Sequence, residues 1–200
     1  MTTLLRFRTA VVAAVVAAVV ASPLSAERLP VRTFTTADGL PRDQVQCVRS
    51  DWRGFIWFCT PEGLVRFDGQ VAVTFGFEDG LSPPGVRSFL IASGDRYFVG
   101  VDSGLFAFDT GVVSGRARFT ALGRVDRKST GGVNAFAESR DGSIWCGTGN
   151  GLLHLSQTGA RTHLVEVDIG LAREVENDRI VRAVLEDERG ILWVGASVSK

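Results

Sequence analysis

From Val31 to the end, short runs rich in aromatic and β-branched residues alternate with breaks that contain Gly, Asp or Pro. Val45–Arg49 is a partly alternating run. Asp51-Trp52-Arg53-Gly54 interrupts it, with Asp to accept backbone hydrogen bonds and Gly for a positive φ. Phe55–Thr60 follows, then a turn at Pro61-Glu62-Gly63, then Leu64–Phe67. Asp68-Gly69 is a hairpin signal, and Val71–Phe75 closes the set. Runs of this length and composition, bounded by such breaks, predict four antiparallel strands.

The pattern recurs. Aromatics at Trp57, Phe98, Trp145 and Trp193 stand in equivalent positions, spaced by 41, 47 and 48 residues. Six residues after the first three come the Gly-Leu pairs that open at Gly63, Gly104 and Gly151. A strand-built repeat of about 40 to 50 residues is the sequence signature of propeller blades. The predicted fold is therefore all-β: an incomplete β-propeller of about three and a half four-stranded blades. The blades fall near 45–75, 86–122, 133–167 and 180–200, the last lacking its two outer strands. Phe34 to Leu40 matches Phe75 to Leu81 at an offset of 41. Residues 31–35 thus read as the outer strand of a blade whose other strands are not supplied, a closing strand that pairs with a ring's last blade. On both counts the chain is expected to be the N-terminal region of a longer protein.

In stacked blades the repeated aromatic fills the layer between neighbours. Trp57, Phe98, Trp145 and Trp193 are expected to be buried there, and Trp52, in a turn, to be exposed. Gly100, Gly147 and Gly195, with Cys59 at the same place in the first blade, leave room for the next blade's close approach.

Composition changes the picture at the N-terminus. Arg6 and Arg8 precede an apolar run, Thr9–Ala21, which Ser22-Pro23-Leu24-Ser25-Ala26 ends. The run is shorter than the roughly 18 apolar residues of a span, so residues 1–26 read as a signal peptide cleaved before Glu27. The mature propeller, 27–200, is then extracytoplasmic. With 22 basic and 22 acidic side chains the formal net charge is zero, which argues against bulk attraction to nucleic acid or anionic membrane. The cysteines number three, so at least one has no partner in the chain. Cys47 and Cys59 face one another across the Asp51–Gly54 turn, so a disulfide is conceivable. Bridges directly across paired strands demand tight geometry, and all three cysteines are expected to be small apolar strand residues.

Chemistry-bearing motifs are sparse. Neither a Gly-x-Ser-x-Gly elbow nor a His-Glu-x-x-His pair occurs, and Gly147-Thr148-Gly149-Asn150-Gly151 coincides with a repeat turn rather than a phosphate loop. His154 and His163 lie at strand positions. No catalytic residue, metal site or cofactor is expected. Asp38, Asp79 and Asp168 sit near Gly in the loops that pass from one blade to the next. They read first as turn caps and second as ligand contacts at one end of the propeller. The polar connection Leu122–Gly132 reads as an insertion.

The unit carried by Val45, Asp51, Gly54, Trp57, Thr60, Gly63, Leu64, Phe67 and Asp68 resembles the two-component regulator propeller repeat. The Phe34-Thr35-Thr36-x-Asp38-Gly39-Leu40-Pro41 start is similar to that of such sensors, and the likeness spans residues 31–196. It implies a periplasmic ligand-sensing propeller, with oligosaccharides among the ligands. It implies a membrane span and a histidine kinase or cyclase output further along the polypeptide, and remaining blades in cis or from a second copy. Cys59 for Gly, Phe98 for Trp and Ala196 for Thr depart from the pattern. The alternatives are a secreted propeller enzyme acting on polysaccharide and a protein-binding scaffold.

Overall fold

Residues 31–113, 116–124, 132–158, 161–170 and 180–197 are described by the computed structural model. The expected signal peptide, 1–26, and most of the Leu122–Gly132 connection lie outside them. The chain divides into two compact units, Met1–Thr33 and Phe34–Lys200. Of the first, only residues 31–33 are described, and they form no regular element. Among the described residues no helix is long and apolar enough to cross a membrane.

The second unit is built from antiparallel meanders. Strands β1 (Cys47–Ser50), β2 (Ile56–Thr60), β3 (Gly63–Phe67) and β4 (Ala72–Phe75) form the first sheet in that order. The second sheet is β5 (Val86–Ala92), β6 (Arg96–Val101), β7 (Gly104–Val113) and β8 (Arg116–Arg124). The third is β9 (Val133–Glu138), β10 (Ile144–Thr148), β11 (Gly151–Thr158) and β12 (Arg161–Val167). A fourth holds β13 (Ile180–Glu186) and β14 (Leu192–Ser197). Three four-stranded antiparallel sheets and one two-stranded sheet are thus present among the described residues, an all-β arrangement consistent with an incomplete propeller.

Successive sheets meet face to face. We call the face toward the following blade trailing and the opposite face leading. The trailing face of blade one brings Trp57, Cys59 and Leu64 against Val86, Phe89, Tyr97, Val99 and Phe108 of blade two. Trp57 is 1% exposed. Its ring lies 5.3 Å from Phe89, 5.9 Å from Tyr97 and 5.7 Å from Phe108. The next junction sets Phe98 and Leu105 against Val133, Ile144, Cys146 and Leu155. The small position after the aromatic works as expected. A Cβ on Gly100 would fall 2.8 Å from Val133 Cβ, and one on Gly147 would fall 2.6 Å from Val181 Cγ1. Contacts this short admit only Gly.

Three expectations are corrected. Trp193 is 59% exposed and Trp145 is half-buried, whereas both were expected to be buried. The blade on the far side buries this aromatic, so Trp193, whose trailing face meets no further blade among the described residues, stays open. Second, residues 31–35 make no strand. Phe34 is still placed as the end of an outer strand would be. Phe34 packs on Phe67 at 4.9 Å, edge to face, as Phe75 packs on Phe108 at 5.2 Å. Third, Cys47 and Cys59 are joined by a disulfide. They are direct cross-strand partners with Cα atoms 4.9 Å apart, inside the range that a bridge accepts. The same cross-strand position holds Ser88 and Gly100, Ala135 and Gly147, and Ala183 and Gly195 in the other blades. The repeat reserves a slot for a compact pair, and two linked sulfurs fill it in blade one. Cys146 is the free cysteine, and its burial pushes the thiol pKa up to about 12, which makes it inert.

Candidate functional site

The antiparallel order puts the blade-connecting loops at the same end as the turns between second and third strands. In that turn Gly63 has φ +149°, and a Cβ there would lie 2.4 Å from the Phe75 carbonyl oxygen. Thr60 Oγ1 closes the turn by donating to the Gly63 carbonyl at 2.8 Å, and Thr148 repeats this on Gly151 at 2.9 Å. Both hydroxyls are buried and satisfied, which explains the repeated Thr-x-x-Gly spacing.

Asp38 and Asp79 occupy matched single-turn 3₁₀ segments at this end, Thr36–Asp38 and Phe77–Asp79. Asp38 Oδ2 accepts from the Thr35 N–H at 2.9 Å, and Asp79 Oδ2 accepts from the Gly76 N–H at 2.9 Å. Asp168 Oδ1 accepts from the Gly170 N–H at 2.9 Å, in a turn of different form. Each carboxylate therefore shapes its own loop. Asp38 and Asp168 are exposed and Asp79 is half-buried, so each keeps outward lone pairs.

A second polar group stands at the same end, and the sequence pattern did not disclose it. The residue after Val45, Val86, Val133 and Val181 is Gln46, Arg87, Asn134 and Arg182 in turn. Arg87 is paired with Asp102 in the neighbouring turn and donates to Asn134 Oδ1 at 3.4 Å. Asn134 donates on to the Val181 carbonyl at 3.2 Å, and Arg42 pairs with Glu62 at 2.8 Å. The matched position was readable as a column of polar residues in an otherwise apolar strand, though its bonds cross blades and only the fold reveals them. This end presents a polar, hydrogen-bonding surface of exposed Asp38, Asp168 and Arg87 with half-buried Asp79 and Asn134.

The opposite end is structural. Asp51 Oδ1 accepts from the N–H groups of Arg53 and Phe55, and Oδ2 accepts from Trp57 Nε1 at 2.9 Å. Asp187 repeats every one of these bonds toward Arg189, Ile191 and Trp193. Its bond from Trp193 first, and those from the Ile191 and Arg189 backbone next, hold its pKa below the ordinary carboxylate value. Blade two has Phe98 without an N–H, and the matched carboxylate is replaced by Ala92. Blade three has Ser139, and Trp145 donates instead to Glu186 of blade four at 3.0 Å. At the preceding junction Glu138 takes the equivalent role, accepting from the Ser93 N–H at 2.9 Å and from Arg96 at 2.8 Å.

Asp141, Ser143 and His154 come together here too. Ser143 Oγ donates to Asp141 Oδ1 at 2.5 Å and meets His154 Nε2 at 2.8 Å. The Ser143 bond holds the Asp141 carboxyl below its usual range. A serine nucleophile must give its proton to the histidine, but this hydroxyl gives it to the aspartate, so the group is a turn staple. His163 is exposed on β12. Among the described residues no three His, Cys, Asp or Glu side chains form a metal cradle.

No family model and no curated protein matches the chain. Among solved structures it is similar to one described as the extracellular domain of the hybrid two component system BT4673 from B. thetaiotaomicron. The TM-score is 0.64 at 18% identity over 82% of this chain. The equivalent domain of BT3049 from the same organism gives 0.64 at 15% identity over 83%. PorZ, a surface component of the type-IX secretion system of Porphyromonas gingivalis, gives 0.59 at 13% over 88%. The chain spans 22% of the length of the first two and 27% of PorZ. Its stacked four-stranded sheets thus share the fold of the extracellular domains of two-component sensors.

Proposed function

We propose that this chain is the extracytoplasmic, ligand-sensing propeller region of a two-component-type signalling protein. The observation that carries the reading is the repeat itself. A unit resembling the two-component regulator propeller recurs in register, and the stacked sheets it builds have the fold of the extracellular domains of such sensors. On this reading the chain performs no chemistry. A span and a kinase or cyclase output belong to the rest of a longer polypeptide, and the chain is exported after cleavage before Glu27. The ligand is a small molecule or oligosaccharide held at the loop end by Asp38, Asp79 and Asp168, with Arg87 and Asn134 beside them.

The test is a thermal-shift screen of the exported chain against sugars, oligosaccharides and other small polar metabolites. A ligand that binds only the folded state raises the melting midpoint as its concentration climbs above Kd. We expect at least one compound to do so, and Asp38→Asn/Asp79→Asn/Asp168→Asn to abolish the shift. Asn keeps the oxygen that caps each turn, so the fold survives. Turnover of a polysaccharide by the chain, or a shift that the triple variant retains, would overturn the assignment. The likeness to PorZ favours a second reading, a surface scaffold that binds protein through the same loops, for which the whole compound panel is inert.

A further inference from the structure

We propose that Trp52, Arg53 and Asp95 form a second binding site, at the end of the stack opposite the connecting loops, which takes a pyranose ring of a saccharide against the indole. The site lies at the junction of blades one and two, whose four strands each are all among the described residues. It goes beyond the sensing role proposed for the loop end and does not rest on it.

The repeat shows what is unusual here. Gly54, Asp95, Gly142 and Gly190 stand in matched positions at the repeat offsets. The three glycines take φ of +86°, +81° and +78° in their turns, and Asp95 takes +56°. Asp95 is the one non-glycine residue with a positive φ among the described residues, a conformation that disfavours an L side chain. Departures of this kind gather at functional sites. The carboxylate placed there does not cap its own turn but reaches back to blade one. Oδ1 accepts from Trp52 Nε1 at 2.6 Å, and Oδ2 pairs with Arg53 at 3.4 Å.

The indole is more than that bond requires. At the next two junctions the position matching Trp52 meets a carboxylate of the following blade with its backbone N–H. Ser93 donates to Glu138 at 2.9 Å, and Arg140 to Glu186 at 3.2 Å. Blade two has Ile91 where those glutamates stand, and Asp95 supplies the acceptor instead. A small donor would close this junction, yet the chain carries a tryptophan that stays 71% exposed. The Arg53 guanidinium lies over one face of the ring, 4.8 Å from its centroid, which leaves the other face to solvent. The ring is thus fixed at its edge, apolar on its open face, and bordered by a carboxylate and a guanidinium. A pyranose has the complementary layout, with C–H groups on its face and hydroxyls around its rim. Stacking covers the face, and the two charged groups accept from and donate to the hydroxyls. One exposed ring among charges falls far short of the roughly 1,000 Å² of a stable protein interface. Close by, the Tyr97 hydroxyl is buried with no hydrogen-bond partner among the described residues. Burial first, and the charge of Asp51 next, raise its pKa, and Arg53 and Asp95 act on it too. One hydrogen bond is therefore left to make beside the cluster, by a bridging water or a ligand hydroxyl.

The test is a titration of the isotope-labelled protein with methyl β-D-glucopyranoside, read at the tryptophan indole N–H signals by nuclear magnetic resonance. One stacked ring is expected to bind with a Kd of roughly 1–10 mM, too weak to register in a melting screen at lower concentration. The Trp52 signal, assigned by its loss in Trp52→Ala, is expected to shift and saturate. That of Trp193, exposed but outside the cluster, is expected to stay in place. Sorbitol, which has the hydroxyls but no ring face, is expected to move neither. Asp95→Gly puts back the residue of the other three turns, so the fold is kept while the acceptor is lost. Its Kd is expected to weaken about tenfold or more. Asp38→Asn/Asp79→Asn/Asp168→Asn is expected to leave the Trp52 shift intact, so the two ends hold or fail separately. A Trp52 signal unmoved at about 100 mM sugar, an equal shift at Trp193 or with sorbitol, or a wild-type Kd in Asp95→Gly would each overturn the proposal.

Discussion

At the scale of single residues, the repeat is a code of paired choices. Asp six residues before the aromatic is present where that aromatic is a Trp with its own blade to satisfy it, at Asp51 and Asp187. Where the ring is Phe98 the partner is Ala92. A buried carboxylate with no donors to accept from would cost more than it returned. The sequence revealed Asp51 as a turn residue, because Asp-x-x-Gly is a turn signal. It did not reveal the bond to Trp57, since six residues along a bending chain carry no fixed distance until the hairpin closes. Asp51→Ala strips three donors of their acceptor at a buried site. It is expected to cost about 2–3 kcal/mol, read as a lower urea midpoint. Asp51→Asn retains an acceptor oxygen and is expected to lose less. Equal losses in the two variants would contradict this role.

At the scale of elements, strand positions and order were legible because aromatic and β-branched runs between Gly, Asp and Pro turns leave little alternative. Cross-strand chemistry was less so. The register that faces Cys47 with Cys59 follows from the Asp51–Gly54 turn, yet geometric strictness pointed toward free thiols. The decisive information was the matched small pairs in the other blades, which show a slot sized for a bridge. Closing a loop across a separation of 12 residues is expected to contribute about 3 kcal/mol. A reductant should lower the urea midpoint of the wild type accordingly. Cys47→Ala/Cys59→Gly rebuilds the pair of blade three and should unfold at the same midpoint with and without reductant. A wild type indifferent to reductant, or three reactive thiols in the unreduced denatured chain, would contradict the bridge.

At the scale of the whole molecule, the sequence discloses what a blade is but not where each blade stands in the stack. The same Trp is buried at position 57 and open at position 193, and the local sequences around them are nearly interchangeable: Asp-x-x-Gly before, a small residue after. Burial is decided by the neighbour, so the expectation for Trp193 failed for a reason invisible in its own blade. The loop end was only half legible. Asp38, Asp79 and Asp168 stood out by position, while Arg87 and Asp102 pair within blade two and meet Asn134 only when blade three stacks on it. The central claim is that each repeat buries its aromatic against the blade that follows it. Hydroxyl-radical footprinting of the four tryptophans, read by mass spectrometry on the protein at high dilution, tests it most directly. We predict strong protection of Trp57, intermediate protection of Trp145, and rapid oxidation of Trp52 and Trp193. Oxidation of Trp57 as fast as that of Trp52, or protection of Trp193 equal to that of Trp57 in the monomer, would contradict it.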